Sequence, residues 1–90
     1  MKYFIYVNYN KLVEAYERPL VLMEDIDEYI ERIGRDFKAS PLEAQKKIGE
    51  YVINHVGYYD DTTGKIDLVE MNPIFDCAVL LAKGEDNGNA

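Results

Sequence analysis

The first residues of the chain alternate in a way that predicts a β-strand covered on both faces. In residues 2–9, one face would carry Tyr3, Ile5, Val7 and Tyr9, and the other would carry Phe4 and Tyr6. Turn-forming residues at 8–11 and a weak alternation over 12–17 predict an antiparallel partner strand before Pro19. We therefore expect an N-terminal β-hairpin.

From Glu24 onward the apolar positions recur every three or four residues, as in an amphipathic helix. Further along, Ser40-Pro41-Leu42-Glu43 has the pattern of a capping box, in which a serine caps the helix and a glutamate reaches back. We expect two consecutive helices over about 24–38 and 41–56. His55 would then lie near the end of the second helix, and Gly57 just beyond it.

The C-terminal third predicts a second β-hairpin, over about 58–71, because a turn-rich run at 60–64 is followed by alternation at 65–71. Residues 74–83 are apolar and fit either a buried strand or a short helix; the punctuation around them favours the helix. Residues 84–90 have little to bury and predict a disordered tail. The fold class is α+β, in one domain over 1–83.

Composition agrees with one small folded domain. The chain has 90 residues, of which 48% are hydrophobic and 30% charged. Its single cysteine, Cys77, excludes an intramolecular disulfide, and one Cys with one His is too few for a structural zinc site. The apolar stretch at the N-terminus is too short for a secretory signal, so we expect a cytoplasmic protein.

Charge is the most informative global property. Ten Lys and Arg against seventeen Asp and Glu give a net charge of −7, which disfavours direct binding to nucleic acids. One block of acids, Glu24, Asp27, Glu28 and Glu31, would lie on one side of the first helix and span about 10 Å. That spacing is comparable to a run of backbone phosphates, although acids at a helix start also serve the helix dipole. Asp60 and Asp61 belong to a second acidic block.

The residues available for covalent chemistry are one serine, one cysteine and one histidine. Ser40 is expected to cap a helix, Cys77 to pack in the core, and His55 to sit at a helix end. No glycine-rich phosphate loop is present. We therefore predict that the protein is not an enzyme and uses no cofactor.

One segment resembles the latter part of an EF-hand calcium loop: Asp61-x-Thr63-Gly64-x-Ile66-Asp67-x-x-Glu70. In that register, however, Tyr59 takes the first ligand position, where the loop normally has an aspartate. The alternative is a solvated hairpin turn at Asp60 to Gly64, which we take as the default, with no metal.

Tyrosine is abundant, with eight Tyr and no Trp, and it supplies the contact area that interfaces use. Tyr58 and Tyr59 adjoin the second acidic block and would point to opposite faces of a strand. We expect a non-enzymatic module that occupies a basic surface of a protein, such as a nucleic-acid-processing enzyme. The predicted contact residues are Glu24, Asp27, Glu28, Glu31, Tyr58, Tyr59, Asp60 and Asp61.

In size and charge the chain is similar to small acidic inhibitors encoded by phages and mobile elements, including anti-CRISPR proteins. The alternative is a self-associating module that forms a homodimer. Its interface would be the apolar 74–83 segment or the exposed edge of the first hairpin.

Overall fold

The computed structural model describes residues 1–82. Its elements follow one another in the order β-β-β-α-α-β-β-α. The strands are β1 (Lys2–Asn10), β2 (Ala15–Tyr16), β3 (Leu20–Leu22), β4 (Tyr51–Asp60) and β5 (Lys65–Asp76). The helices are α1 (Ile26–Ala39), α2 (Leu42–Ile48) and α3, which covers 78–82. The predicted α+β class is confirmed.

All five strands form one antiparallel sheet. β1 pairs with β4 along its whole length, from Lys2 opposite Asp60 to Asn10 opposite Tyr51. On its other side β1 pairs with both β2 and β3, and β5 pairs with the outer side of β4. The predicted N-terminal hairpin is confirmed, but its turn lies at 11–14 rather than 8–11. The Asn10 side chain stabilises this turn by accepting the Leu12 and Val13 amides at 2.9 and 3.2 Å.

The core lies between one face of this sheet and the helices. Its most buried members are Tyr6 of β1, Tyr29 of α1, Ile53 of β4 and Cys77. Phe4, Leu22, Ile26, Ile33, Ile48, Tyr51, Ile74, Phe75 and Leu80 pack around them. The packed thiol expected of Cys77 is thus observed, and the apolar stripe of α1 faces the sheet.

The first predicted helix is confirmed as α1, but the second is wrong after residue 48. α2 ends at Gly49, and the chain turns back to enter β4 at Tyr51. The segment Tyr51 to Val56 is aromatic and β-branched, and hydrogen bonds to both β1 and β5 favour the strand. Consequently His55 lies buried in mid-strand rather than at a helix end, and Gly57 lies within β4 rather than after a helix.

The predicted capping box is also wrong. The N-cap of α2 is Pro41, which makes no side-chain cap, and the Ser40 hydroxyl instead donates to the Asp36 carbonyl at 2.6 Å. A true capping box begins α1, because Asp25 accepts the Glu28 amide at 2.9 Å and the Glu28 carboxylate accepts the Asp25 amide at 3.3 Å.

The second hairpin is confirmed and is longer than predicted. β4 and β5 enclose a turn at 61–64, where the Gly64 amide donates to the Asp60 carbonyl at 2.8 Å and Gly64 has a φ of 73°. The EF-hand-like segment is therefore a hairpin turn followed by a strand, and Asp67 lies on β5. Of residues 74–83, the first three end β5 and 78–82 form a helix. The predicted tail at 84–90 lies outside the described residues.

We expect the substitution Asp25→Ala to lower the free energy of unfolding by about 1 kcal/mol, because it removes the acceptor that caps α1. Urea denaturation measures this change. The control is Glu31→Ala, an exposed helix position outside the cap, which should change stability by no more than about 0.5 kcal/mol. Equal losses in the two variants would contradict the capping role.

We expect Gly57→Ala to destabilise the protein by about 1–3 kcal/mol. A Cβ at Gly57 would lie 2.4 Å from the Asp67 carbonyl oxygen, so the β5 backbone would have to move. Gly34→Ala is the matched control: its Cβ would meet nothing within 4 Å, and alanine in a helix should stabilise by about 0.5–1 kcal/mol. Thermal melts that shift in the same direction for both variants would refute this account.

Candidate partner-binding surfaces

The first acidic block surrounds the beginning of α1, and two of its four members have intramolecular tasks. Both carboxylate oxygens of Glu24 accept from the Arg32 Nε, at 3.0 and 2.7 Å. This hydrogen bond holds the pKa of Glu24 below its usual range. Glu28 completes the capping box with Asp25. Glu24 and Glu28 therefore stabilise the helix start, as the helix dipole favours.

The other two members, Asp27 and Glu31, lie one turn apart on the exposed side of α1. Neither carboxylate forms an ion pair with any residue of the described part of the chain. Arg35 follows Glu31 by one further turn but is not within 4.0 Å of it. Asp27 and Glu31 thus present uncompensated negative charge to solvent.

The second acidic block lies at the tip of the β4–β5 hairpin. Asp61 accepts from the N-terminal ammonium of Met1 at 2.6 Å, and this contact lowers the pKa of the Asp61 carboxyl. The Asp60 carboxylate accepts the Thr62 amide at 2.9 Å and so stabilises the turn. No hydrogen bond or ion pair within residues 1–82 joins this block to the block on α1.

The two adjacent tyrosines lie on opposite faces of β4. Tyr58 is on the side of the helices, where its ring packs edge-on against Phe4 and His55, with centroids 5.4 and 4.8 Å away. The Lys2 ammonium lies 4.8 Å from the Tyr58 centroid, a cation–π distance. Tyr59 lies on the other face beside Tyr3, and both Tyr58 and Tyr59 are half-buried.

The three residues considered for covalent chemistry each have a structural place. Cys77 is buried, and burial raises the pKa of its thiol to about 11. His55 is buried among the rings of Phe4, Tyr6 and Tyr58, and its Nε2 has no partner among the described residues. The Ser40 hydroxyl is engaged at the end of α1. Residues 1–82 also contain no group of three or more His, Cys, Asp or Glu that could hold a metal ion.

One surface was not foreseen: the face of the sheet that the helices leave uncovered. Its centre includes Ile5 and Val7 of β1 and Val52 of β4, which lie outside the core cluster, although Ile5 is only 6% exposed. The alternation of β1 indicated two apolar faces. The sequence does not predict the second as one surface, because residues 51–56, which complete it, also fit a helical pattern.

The apolar 74–83 segment, considered above as a dimer surface, is largely occupied by the fold itself. Ile74, Phe75 and Leu80 pack against the core. No helix in residues 1–82 is long and apolar enough to cross a membrane. Comparison of the chain with protein-family models, with curated proteins and with solved structures finds no match.

We expect the Cys77 thiol to react with iodoacetamide at pH 8 at least about 100-fold more slowly in the folded protein than in urea. The pKa of about 11, against an ordinary value of 9.0, makes the thiolate about 100 times rarer, and burial slows access further. Mass spectrometry follows the alkylation. Similar rates in the two conditions would show that the thiol is exposed and activated.

Proposed function

We propose that this protein is a non-enzymatic binding module that docks on a basic surface of a protein partner and inhibits it by covering that surface. The observation that carries the proposal is the pair Asp27 and Glu31, exposed one turn apart on α1 without an ion-pair partner in residues 1–82. Because these two carboxylates have no counter-ion in that part of the chain, a cationic surface that approaches them gains the full attraction of both charges.

The distribution of charge supports the same partner chemistry. A net charge of −7 repels nucleic acid and attracts basic proteins over several ångströms at physiological salt. Nucleic-acid-processing enzymes present basic channels that an acidic helix could fill. The proposed role is therefore that of a cytoplasmic inhibitor of such an enzyme, of the anti-defence type that phages and mobile elements encode, as anti-CRISPR proteins are.

The fold narrows the proposed contact set to the acids that have no internal task. Glu24 and Glu28 hold the helix start, and Asp61 holds the N-terminus, so their replacement would disturb the fold as well as any interface. Within residues 1–82, Asp27 and Glu31 have no side-chain hydrogen bond that supports the fold. The structural places of Ser40, His55 and Cys77 also favour a binding role over covalent catalysis.

We expect the double reversal Asp27→Lys with Glu31→Lys to fold normally and to abolish capture of the partner. Like charges juxtaposed at an interface cost several kcal/mol, so capture should fall by orders of magnitude. The experiment immobilises the chain, captures a basic protein from the host's lysate, and elutes it with salt. The captured protein should then lose its own binding to nucleic acid when this chain is added.

The matched control is the double reversal Glu43→Lys with Glu70→Lys, which changes the net charge equally at two exposed positions outside α1. It should retain most of the capture. If the α1 variant captured the same basic protein as well as the parent, the acidic face of α1 would not be the docking surface. Circular dichroism confirms that each variant is folded before the comparison is made.

A further inference from the structure

The sheet carries helices on one face only. The other face, called here the helix-free face, is the side of β1 that carries Ile5 and Val7. Neighbours across an antiparallel pair share a face, so the strand register identifies the rest of it. One row crosses the whole sheet: Val21 of β3 lies opposite Ile5 of β1, Ile5 lies opposite Gly57 of β4, and Gly57 lies opposite Leu68 of β5.

Two further rows of this face are largely apolar. Towards the hairpin tip, Tyr3 lies opposite Tyr59, which lies opposite Ile66. Towards the other end, beyond the row of Val7 and Asn54, Tyr16 lies opposite Tyr9, Tyr9 lies opposite Val52, and Val52 lies opposite Asp76 of β5. The helix-free face is therefore aliphatic and aromatic except at the β5 end of this last row.

Asp76 is the one charged side chain in these three rows, and its carboxylate pairs with the Lys11 ammonium at 2.7 Å. Asn54, the polar residue nearest the middle, uses its side-chain amide to donate to the Val7 and Val52 carbonyls, at 3.1 and 3.2 Å. The apolar side chains at both margins are open to solvent: Val21 is 51% exposed, Ile66 61% and Leu68 77%. Ile5 and Asn54 at the centre are only 6% and 5% exposed, so the apolar surface that is open to solvent lies at the two margins. Exposed apolar surface of this kind on a sheet face marks an interaction site.

We propose that a second copy of this chain covers the helix-free face, so that two sheets pack face to face in a homodimer. Stacked sheets lie about 10 Å apart, and their twist lets identical faces interdigitate at about 30°. Homodimer interfaces are the most apolar class of protein interface, and this face has that composition.

The size of the face suits this occupant. Four strands at about 4.8 Å and seven residues at about 3.4 Å give a flat projection of about 460 Å² on each copy. The exposed side chains at the margins carry most of the accessible area. A symmetric dimer would bury about 1,000 Å² in total, the lower bound for a specific interface. A partner with a basic surface would find one carboxylate in these rows, that of Asp76, and it is already paired with Lys11.

The charges of the chain also permit this arrangement. α1 lies on the opposite side of the sheet, so the acidic faces of the two copies would point away from each other. With about 10 Å per helix layer and about 10 Å between sheets, they would be about 30 Å apart. That separation far exceeds the Debye length of about 8 Å, so repulsion between the two acidic faces is screened.

Light scattering after size exclusion tests the proposal directly. We expect the parent chain to have twice its 10.4 kDa mass, and its melting temperature to rise with protein concentration. Val21→Lys and Leu68→Lys should each shift the mass to that of one chain and remove this concentration dependence. Because Val21 and Leu68 lie at opposite edges of the sheet, both variants have this effect only if the face between them is the interface.

Leu42→Lys is the control, since Leu42 is 63% exposed but lies on α2, away from the helix-free face. It should remain a dimer. A monomeric parent chain overturns the proposal, and so does a dimer that persists in folded Val21→Lys and Leu68→Lys.

The outcome is independent of the function proposed above. The Asp27→Lys with Glu31→Lys variant should keep the dimer mass, because it alters the other side of the molecule. If that variant remains a dimer but no longer captures the basic partner, both proposals are supported. If the parent chain is a monomer but captures the partner through α1, only the dimer proposal is contradicted.

Discussion

Tyr6 packs against Tyr29 in the middle of the core and so joins the sheet to α1. Tyr6 is fully buried in β1, its ring centroid lies 4.5 Å from that of Tyr29, and its hydroxyl donates to the Glu24 carbonyl at 2.8 Å. Burial raises the pKa of Tyr6, so the hydroxyl keeps its proton and remains a donor even in alkaline solution. One side chain thus joins the central part of the sheet to the helix and also determines where the helix begins.

This constraint separates the molecule into two sides with different properties. The Tyr6 hydroxyl holds the Glu24 carbonyl, and the next residue, Asp25, caps α1. In the helix that begins there, Asp27 and Glu31 lie on the exposed side. The helices cover the Tyr6 side of the sheet and not the Ile5 side, where Ile5 is 6% exposed and the apolar side chains at the margins are open to solvent. Negative charge is displayed by the helix on one side, and apolar surface by the strands on the other. A charge-seeking contact and a self-contact can therefore coexist without competing for the same residues.

The sequence predicts an element correctly where the spacing of its apolar residues fits only one kind of secondary structure. β1 and α1 are of this kind, and the hairpin turn at 61–64 has unmistakable turn residues. Residues 51–56 fit a helical stripe as readily as a strand, and the pairing with β1 and β5 that decides between them is long-range. The acidic positions could be found from the sequence, but their roles could not. Only the fold brings Arg32 to Glu24 and the N-terminus to Asp61.

The two faces of the sheet have different occupants in this proposal: the helices cover one face, and a second copy of the chain covers the other. Isotope-filtered nuclear Overhauser spectra of a mixed dimer, with one copy labelled with ¹³C and the other unlabelled, distinguish the two faces. We expect contacts between copies from the methyl groups of Val7, Val21 and Leu68, and none from Ile26 or Ile33 of α1. Contacts between copies that arise from α1, or none at all at high concentration, would contradict it.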